Sequence, residues 1–212
     1  MRREPGVPTN FDDRAETWDG DPAKVERARV VAEAIRATVP LDSSTRLLEY
    51  GAGTGLVSQA LADHVGRITL AEPSAGMRRV MADKVAAGKL PDDVRIWDID
   101  LAIDAVPDEH FDLIATVMTL HHIPDLGPVM DGFATLLAEG GYLCIVDLEE
   151  EDGSFHSSDA GFDGHRGFGR AALEERLRLA GFRDVRFEQC HEIEKDGGTY
   201  PLFLAATMVE PG

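Results

Sequence analysis

Residues 46–55 read RLLEYGAGTG, and no other stretch limits the architectures open to this chain as strongly. Leu47 and Leu48 close a short apolar run of the kind a buried strand supplies. Gly51, Gly53 and Gly55 then let the backbone turn sharply and pass close to a ligand. Residues 56–64 continue with a helical pattern. The unit is a strand, a glycine turn and a helix, and at the carboxyl edge of a parallel sheet such a turn holds a nucleotide-like molecule.

The rest of the chain repeats that alternation. Asp21 and Pro22 form a helix start, as N-cap and first helical residue, and Val25, Ala28, Val31, Ala32 and Ile35 recur at helical spacing until Pro40. Residues 67–71, 94–99, 111–118 and 142–146 read as further strands, with helices over residues 73–87 and 126–138 between them. A helix over residues 170–180 is stopped by Gly181. Residues 182–192 and 199–209 are then separated by only a Lys195-Asp196-Gly197-Gly198 turn, too short for a crossover, so the last two strands are antiparallel. The predicted fold is α/β: a Rossmann-like, seven-stranded, mostly parallel sheet with a C-terminal antiparallel hairpin and helices on both faces. The 212 residues suffice for one such domain. Within it, residues 1–40 form an N-terminal arm and helix, and residues 41–212 the main body.

Charge excludes some partners. With 39 acidic against 21 basic residues the net charge is -18, and a surface so negative repels nucleic acid and anionic lipid. No apolar run approaches the roughly 18 residues of a membrane span, and residues 1–10 have basic residues with no apolar segment behind them. A cytoplasmic protein without an export signal is expected. Cys144 and Cys190 lack metal-ligand spacing and read as reduced thiols.

Glu72 lies 21 residues after Gly51, close to the separation at which a dinucleotide fold sets an acid against ribose hydroxyls, both of which a carboxylate can accept. A nicotinamide-dependent oxidoreductase shares this geometry. Its usual GxGxxG differs from the alternate glycines here, however, and Glu49 would stand beside the pyrophosphate. A carboxylate two residues before the first glycine suits a cationic ligand instead.

LLEYGAGTG resembles the glycine motif of class I S-adenosylmethionine-dependent methyltransferases, of the small-molecule type similar to the ubiquinone and menaquinone enzymes. LAEPSAGM, WDIDLA, HFDLIATVMTLHHIPD and LLAEGGYLCIVD follow in that family's order. The resemblance implies S-adenosyl-L-methionine as cofactor and methyl transfer to a small-molecule acceptor. It also implies Gly51, Ala52 and Gly53 at the methionine part, Glu49 toward its amino group, and Glu72 with the adjacent Pro73 at the ribose. Asp100 would meet the adenine, with Leu101 offering an amide and an apolar contact, Asp98 as the rival acid and Met77 over the ring. Met118 and Thr119 would flank the methyl group. Tyr50 stands where the family has an aliphatic residue, and Glu72 where aspartate is commoner; both keep the required chemistry. The same residues would serve a protein that binds the cofactor without turning it over.

His121 and His122, just beyond the fourth strand, are the candidates for a general base; the alternative is a structural or pocket-lining pair. Residues 149–169, rich in glycine, acids and histidine, exceed an ordinary connection and read as a lid. His156 and His165 lie in it and, with Asp147 and its neighbours, could suggest a metal site, but no pair has helical or zinc-site spacing and no metal is expected. Phe155, Phe162 and Phe168 would give the acceptor pocket apolar walls. Phe11 and Trp18 read either as packing of the arm or as a flap over the ligand.

Overall fold

The computed structural model describes residues 10–157 and 161–209. The start of the 1–40 arm and residues 158–160 of the long loop lie outside the described residues. Seven strands, β1 (Leu47–Tyr50), β2 (Ile68–Ala71), β3 (Arg95–Trp97), β4 (Phe111–Val117), β5 (Leu137–Leu148), β6 (Phe182–Lys195) and β7 (Gly198–Val209), form one sheet in the order β3-β2-β1-β4-β5-β7-β6. Strands β1 to β5 are parallel, and β7 runs antiparallel to both β5 and β6. The hairpin turn has positive φ at Asp196 and Gly197, 51° and 82°, which lets a two-residue loop follow the twist of its strands.

The described residues form six α-helices, α1 (Asn10–Trp18), α2 (Pro22–Thr38), α3 (Leu56–Leu61), α4 (Ala75–Ala86), α5 (Gly127–Leu136) and α6 (Arg170–Leu179), of which α1 packs on α4. Alternate strand residues feed two cores. Leu113, Ala115, Leu202 and Leu204 pack with Val31 and Ile35 of α2 and Leu61 of α3 on one face. Ile114, Phe203 and Ala205 pack with Phe133 of α5 and Leu173 and Leu177 of α6 on the other. Asp21 caps α2 through the amide of Ala23. Among the described residues no helix is long and apolar enough to cross a membrane.

Two elements differ from the sequence expectation. Residues 11–18 are helical, because Phe11, Ala15 and Trp18 recur at spacings of four and three and Ala15 is buried at 1% exposure. Strand β5 begins at Leu137 rather than 142, because the chain continues along β4 through a register irregularity opposite Phe111 to Leu113. Gly140, at φ 76°, allows that bulge.

Candidate active site

In a parallel sheet all the carboxyl ends emerge on one edge. Here they bring together Gly51 after β1, Glu72 after β2, Asp100 beyond β3, Met118 and His121 after β4, and Asp147 near the end of β5. The chain crosses to opposite sides between β1 and β4, which opens a crevice at the first glycine turn.

The turn is built by close approach. Gly51 has φ 67°, and a Cβ there would sit 2.2 Å from Cγ2 of Thr119, whose hydroxyl donates to the Gly51 carbonyl at 3.2 Å. Gly53 has φ 56° and open space in front of it, with no atom within 4 Å of where a Cβ would stand. The first glycine is thus needed by the protein itself, and the second leaves room for a ligand. Met118 also takes a left-handed conformation, φ 53°, which costs roughly 1–2 kcal/mol for a residue with a side chain and places strain at the rim of the crevice.

Two carboxylates occupy the amides around this turn. The Gly53 N–H donates to Oε2 of Glu72 at 2.8 Å, and the Ser74 N–H to Oε1 at 2.8 Å. The Ser58 N–H, in the first turn of α3, donates to Oε2 of Glu49 at 2.9 Å. Burial pushes the Glu49 carboxyl up to about 7, against the lowering effect of Ser58 and of the Lys84 charge. Burial raises Glu72 as well, with the Ser74 and Gly53 amides pulling it back.

Toward β3, Tyr50 reaches across from β1. Its hydroxyl donates to Oδ1 of Asp100 at 3.3 Å and accepts the Leu101 N–H at 3.2 Å. The Leu101 amide is thus engaged by the Tyr50 hydroxyl, and the Leu101 side chain packs on Gly132. Asp98 is exposed and pairs with Arg78 at 2.9 Å, whereas the partly buried Asp100 meets the Tyr50 hydroxyl. Met77 is buried at 1% exposure in the first turn of α4, and Pro73 is exposed beside Glu72.

The opposite rim is aromatic and imidazole-rich. Nδ1 of His121 lies 2.6 Å from Oδ1 of Asp147, both fully buried, and Asp147 also accepts the amides of Leu148 at 2.8 Å and His121 at 3.3 Å. A carboxylate on Nδ1 fixes the tautomer in which Nε2 can accept a proton. The His122 ring lies 4.1 Å from His121 and 5.2 Å from Phe11. The long loop folds back over this rim: the His165 N–H donates to the His121 carbonyl at 2.7 Å, and Phe155, His156 and Phe162 surround the pair. His165 turns instead toward Phe168.

Helix α1 closes the remaining side. Oδ1 of Asp12 accepts from the Ser74 hydroxyl at 2.6 Å and the Gly76 N–H at 2.7 Å, which holds the Asp12 carboxyl below the usual range. Asp19 accepts from the Thr54 hydroxyl and, at 2.9 Å, from the buried Lys84 ammonium. Sequence reasoning missed Asp12, Asp19 and the pairing of Asp147 with His121. The small residue Gly76 was the available signal for the first, since a Cβ there would meet Asp12 backbone at 2.8 Å.

Residues 24–187 match the family described as methyltransferase domain. A ubiquinone biosynthesis O-methyltransferase of Xylella fastidiosa is 32% identical over 123 residues, 57% of this chain and 48% of that protein. A Haloferax volcanii methyltransferase solved with the Trm112 activator shares the fold at TM-score 0.76 and 18% identity, over 96% of this chain and 99% of that one. The DhpI–SAH complex does so at TM-score 0.71 and 24% identity, over 95% and 94%. The chain spans about half the length of the curated relatives it matches. With most of its residues inside that match, the chain belongs to the methyltransferase-domain family.

Proposed function

We propose that the chain binds S-adenosyl-L-methionine in the crevice beyond the glycine turn and methylates a small-molecule acceptor by direct in-line displacement. The observation that carries this reading is the pair of carboxylates seated on the amides of Gly53 and Ser58. Those are the donors a pyrophosphate would use, and acids in their place favour a cation. This also disfavours a nicotinamide cofactor. The open space before Gly53 gives the ligand room.

Bound there, the cofactor supplies a methyl group already activated on a sulfonium. Glu49 attracts its ammonium, Glu72 retains lone pairs for the ribose diol, and Asp100 and Tyr50 flank the adenine. Gly51, Ala52 and Met118 wall the methionine part. Helix α1 and the long loop exclude water, and holding the reactants aligned in such a site is worth about 7–11 kcal/mol. Nε2 of His121, oriented by Asp147, accepts the acceptor's proton, with His122 lining the same rim. The acidic surface argues against nucleic acid as acceptor, and the name of the Xylella relative supports a small molecule.

Incubation of the purified chain with labelled S-adenosylmethionine and the low-molecular-weight fraction of a cell extract tests the reading. Label transfer to a small product, lost in Gly53→Arg, is expected. Cofactor binding without transfer to any fraction would instead identify a binding protein.

A further inference from the structure

We propose that His121, His122 and His156 form a binding site for one divalent transition-metal ion of the zinc class. Their candidate ligand nitrogens all lie within 4.8 Å of one another. The three rings form a triangle with two nearly equal sides, with centroids 4.1 Å apart for His121 and His122, 5.2 Å for His121 and His156, and 5.1 Å for His122 and His156. No spacing in the sequence joins His156 to the adjacent His121 and His122; the long loop delivers His156 to the exit of β4.

The surroundings are those of a metal ligand set. Asp147 holds Nδ1 of His121 at 2.6 Å, which leaves Nε2 to coordinate, and a carboxylate behind an imidazole both orients the ring and raises its basicity. The loop is anchored at the same point: the His165 N–H bonds the His121 carbonyl, and a Cβ on Gly164 would meet that oxygen at 2.1 Å. Stacking on Phe162, with centroids 3.9 Å apart and planes 11° apart, fixes the plane of the His156 ring. A tetrahedral ion with bonds of about 2.1 Å needs nitrogens about 3.4 Å apart. Rotation of the half-buried His122 side chain, with a shift of the His156 ring within its stacking plane, supplies that contraction.

The donor set selects the ion. Three neutral imidazoles suit zinc, cobalt, nickel or copper, whereas magnesium and calcium require oxygen ligands. Three protein ligands leave a fourth position for water or an acceptor oxygen. Coordination would occupy the Nε2 of His121 that accepts a proton in the proposed reaction, so the two uses of that atom are exclusive. Metal binding itself does not depend on methyl transfer.

The test uses the untagged, chelator-treated chain. Zn²⁺ is titrated by calorimetry and Co²⁺ by visible absorption, with Mg²⁺ as the control for the acidic surface. One equivalent of Zn²⁺ and of Co²⁺ is expected, the latter with the intense bands of a four-coordinate ion, and no comparable Mg²⁺ binding. His156→Ala should abolish the Co²⁺ bands, and Asp147→Asn should weaken binding about 10–100-fold, with folding followed by circular dichroism. Absence of binding to the folded wild-type chain would overturn the proposal. So would Zn²⁺ binding that persists undiminished in folded His156→Ala and His122→Ala, because the ion would then sit on surface carboxylates.

Discussion

Gly51 is packed against Thr119 so closely that a methyl group on it would lie 2.2 Å from Cγ2 of the threonine, whereas Gly53, two residues on, faces open space. On the proposed reading the two glycines separate folding from binding. Gly51→Ala combines a left-handed conformation, about 1–2 kcal/mol, with overpacking of about 1–3 kcal/mol, and is expected to lower stability by their sum. Gly53→Ala bears only the conformational cost yet projects into the ligand space, so it should fold and lose cofactor affinity. Urea unfolding and titration with S-adenosylhomocysteine distinguish these results; equal stability losses would contradict the assignment.

Asp12 ties α1 to the start of α4 through Ser74 and Gly76. Asp12→Ala should release that contact at about 1 kcal/mol, in the range of a lost helix cap. Amide exchange in residues 11–18 is expected to accelerate, with weaker cofactor binding, because the helix closes the crevice. Unchanged exchange there would show that Asp12 does not hold the helix.

The Glu49 carboxyl titrates at about 7 in the folded chain against 4.5 for the ordinary value. Between those values the folded state binds more protons than the unfolded state, so this group makes stability fall as pH rises through the window. The contribution is largest below the unfolded value and is lost above the folded one. Glu49→Gln should flatten that part of the stability profile. Cofactor binding has the opposite sign: a cation favours the ionised carboxylate, so affinity should rise as pH passes through 7 in the wild type and not in the variant. Calorimetry from about pH 6 to about pH 8 reads both slopes.

His121→Asn removes the proton acceptor of the proposed reaction while leaving the glycine turn intact. A fall of about 100-fold or more in kcat is expected, with affinity for S-adenosylhomocysteine within a few-fold of wild type. An unchanged kcat would reduce the His121–Asp147 pair to a structural element.

The parts of this molecule set by neighbours in sequence were legible in the sequence. Alternate glycines after Leu48, the Asp21-Pro22 helix start and the short Asp196-Gly197 turn each act within a few residues, and together they imply the parallel sheet and its closing hairpin. The contacts that finish the site join distant segments. Tyr50 takes the Leu101 amide, Asp147 holds His121, Asp12 takes the Gly76 amide of α4, and His156 reaches the His121 rim. Each depends on strand order and on loop closure, which periodicity does not report. The helical nature of residues 11–18 was present as Phe11, Ala15 and Trp18, but two turns with one buried alanine give a weak apolar stripe.

The most direct measurement is calorimetric titration of the chain with S-adenosylhomocysteine and, separately, with a nicotinamide dinucleotide. One S-adenosylhomocysteine per chain is expected, with binding abolished in folded Gly53→Arg and none for the dinucleotide. Binding of the dinucleotide alone, or S-adenosylhomocysteine binding that survives Gly53→Arg unchanged, would contradict a cationic cofactor seated on the glycine turn.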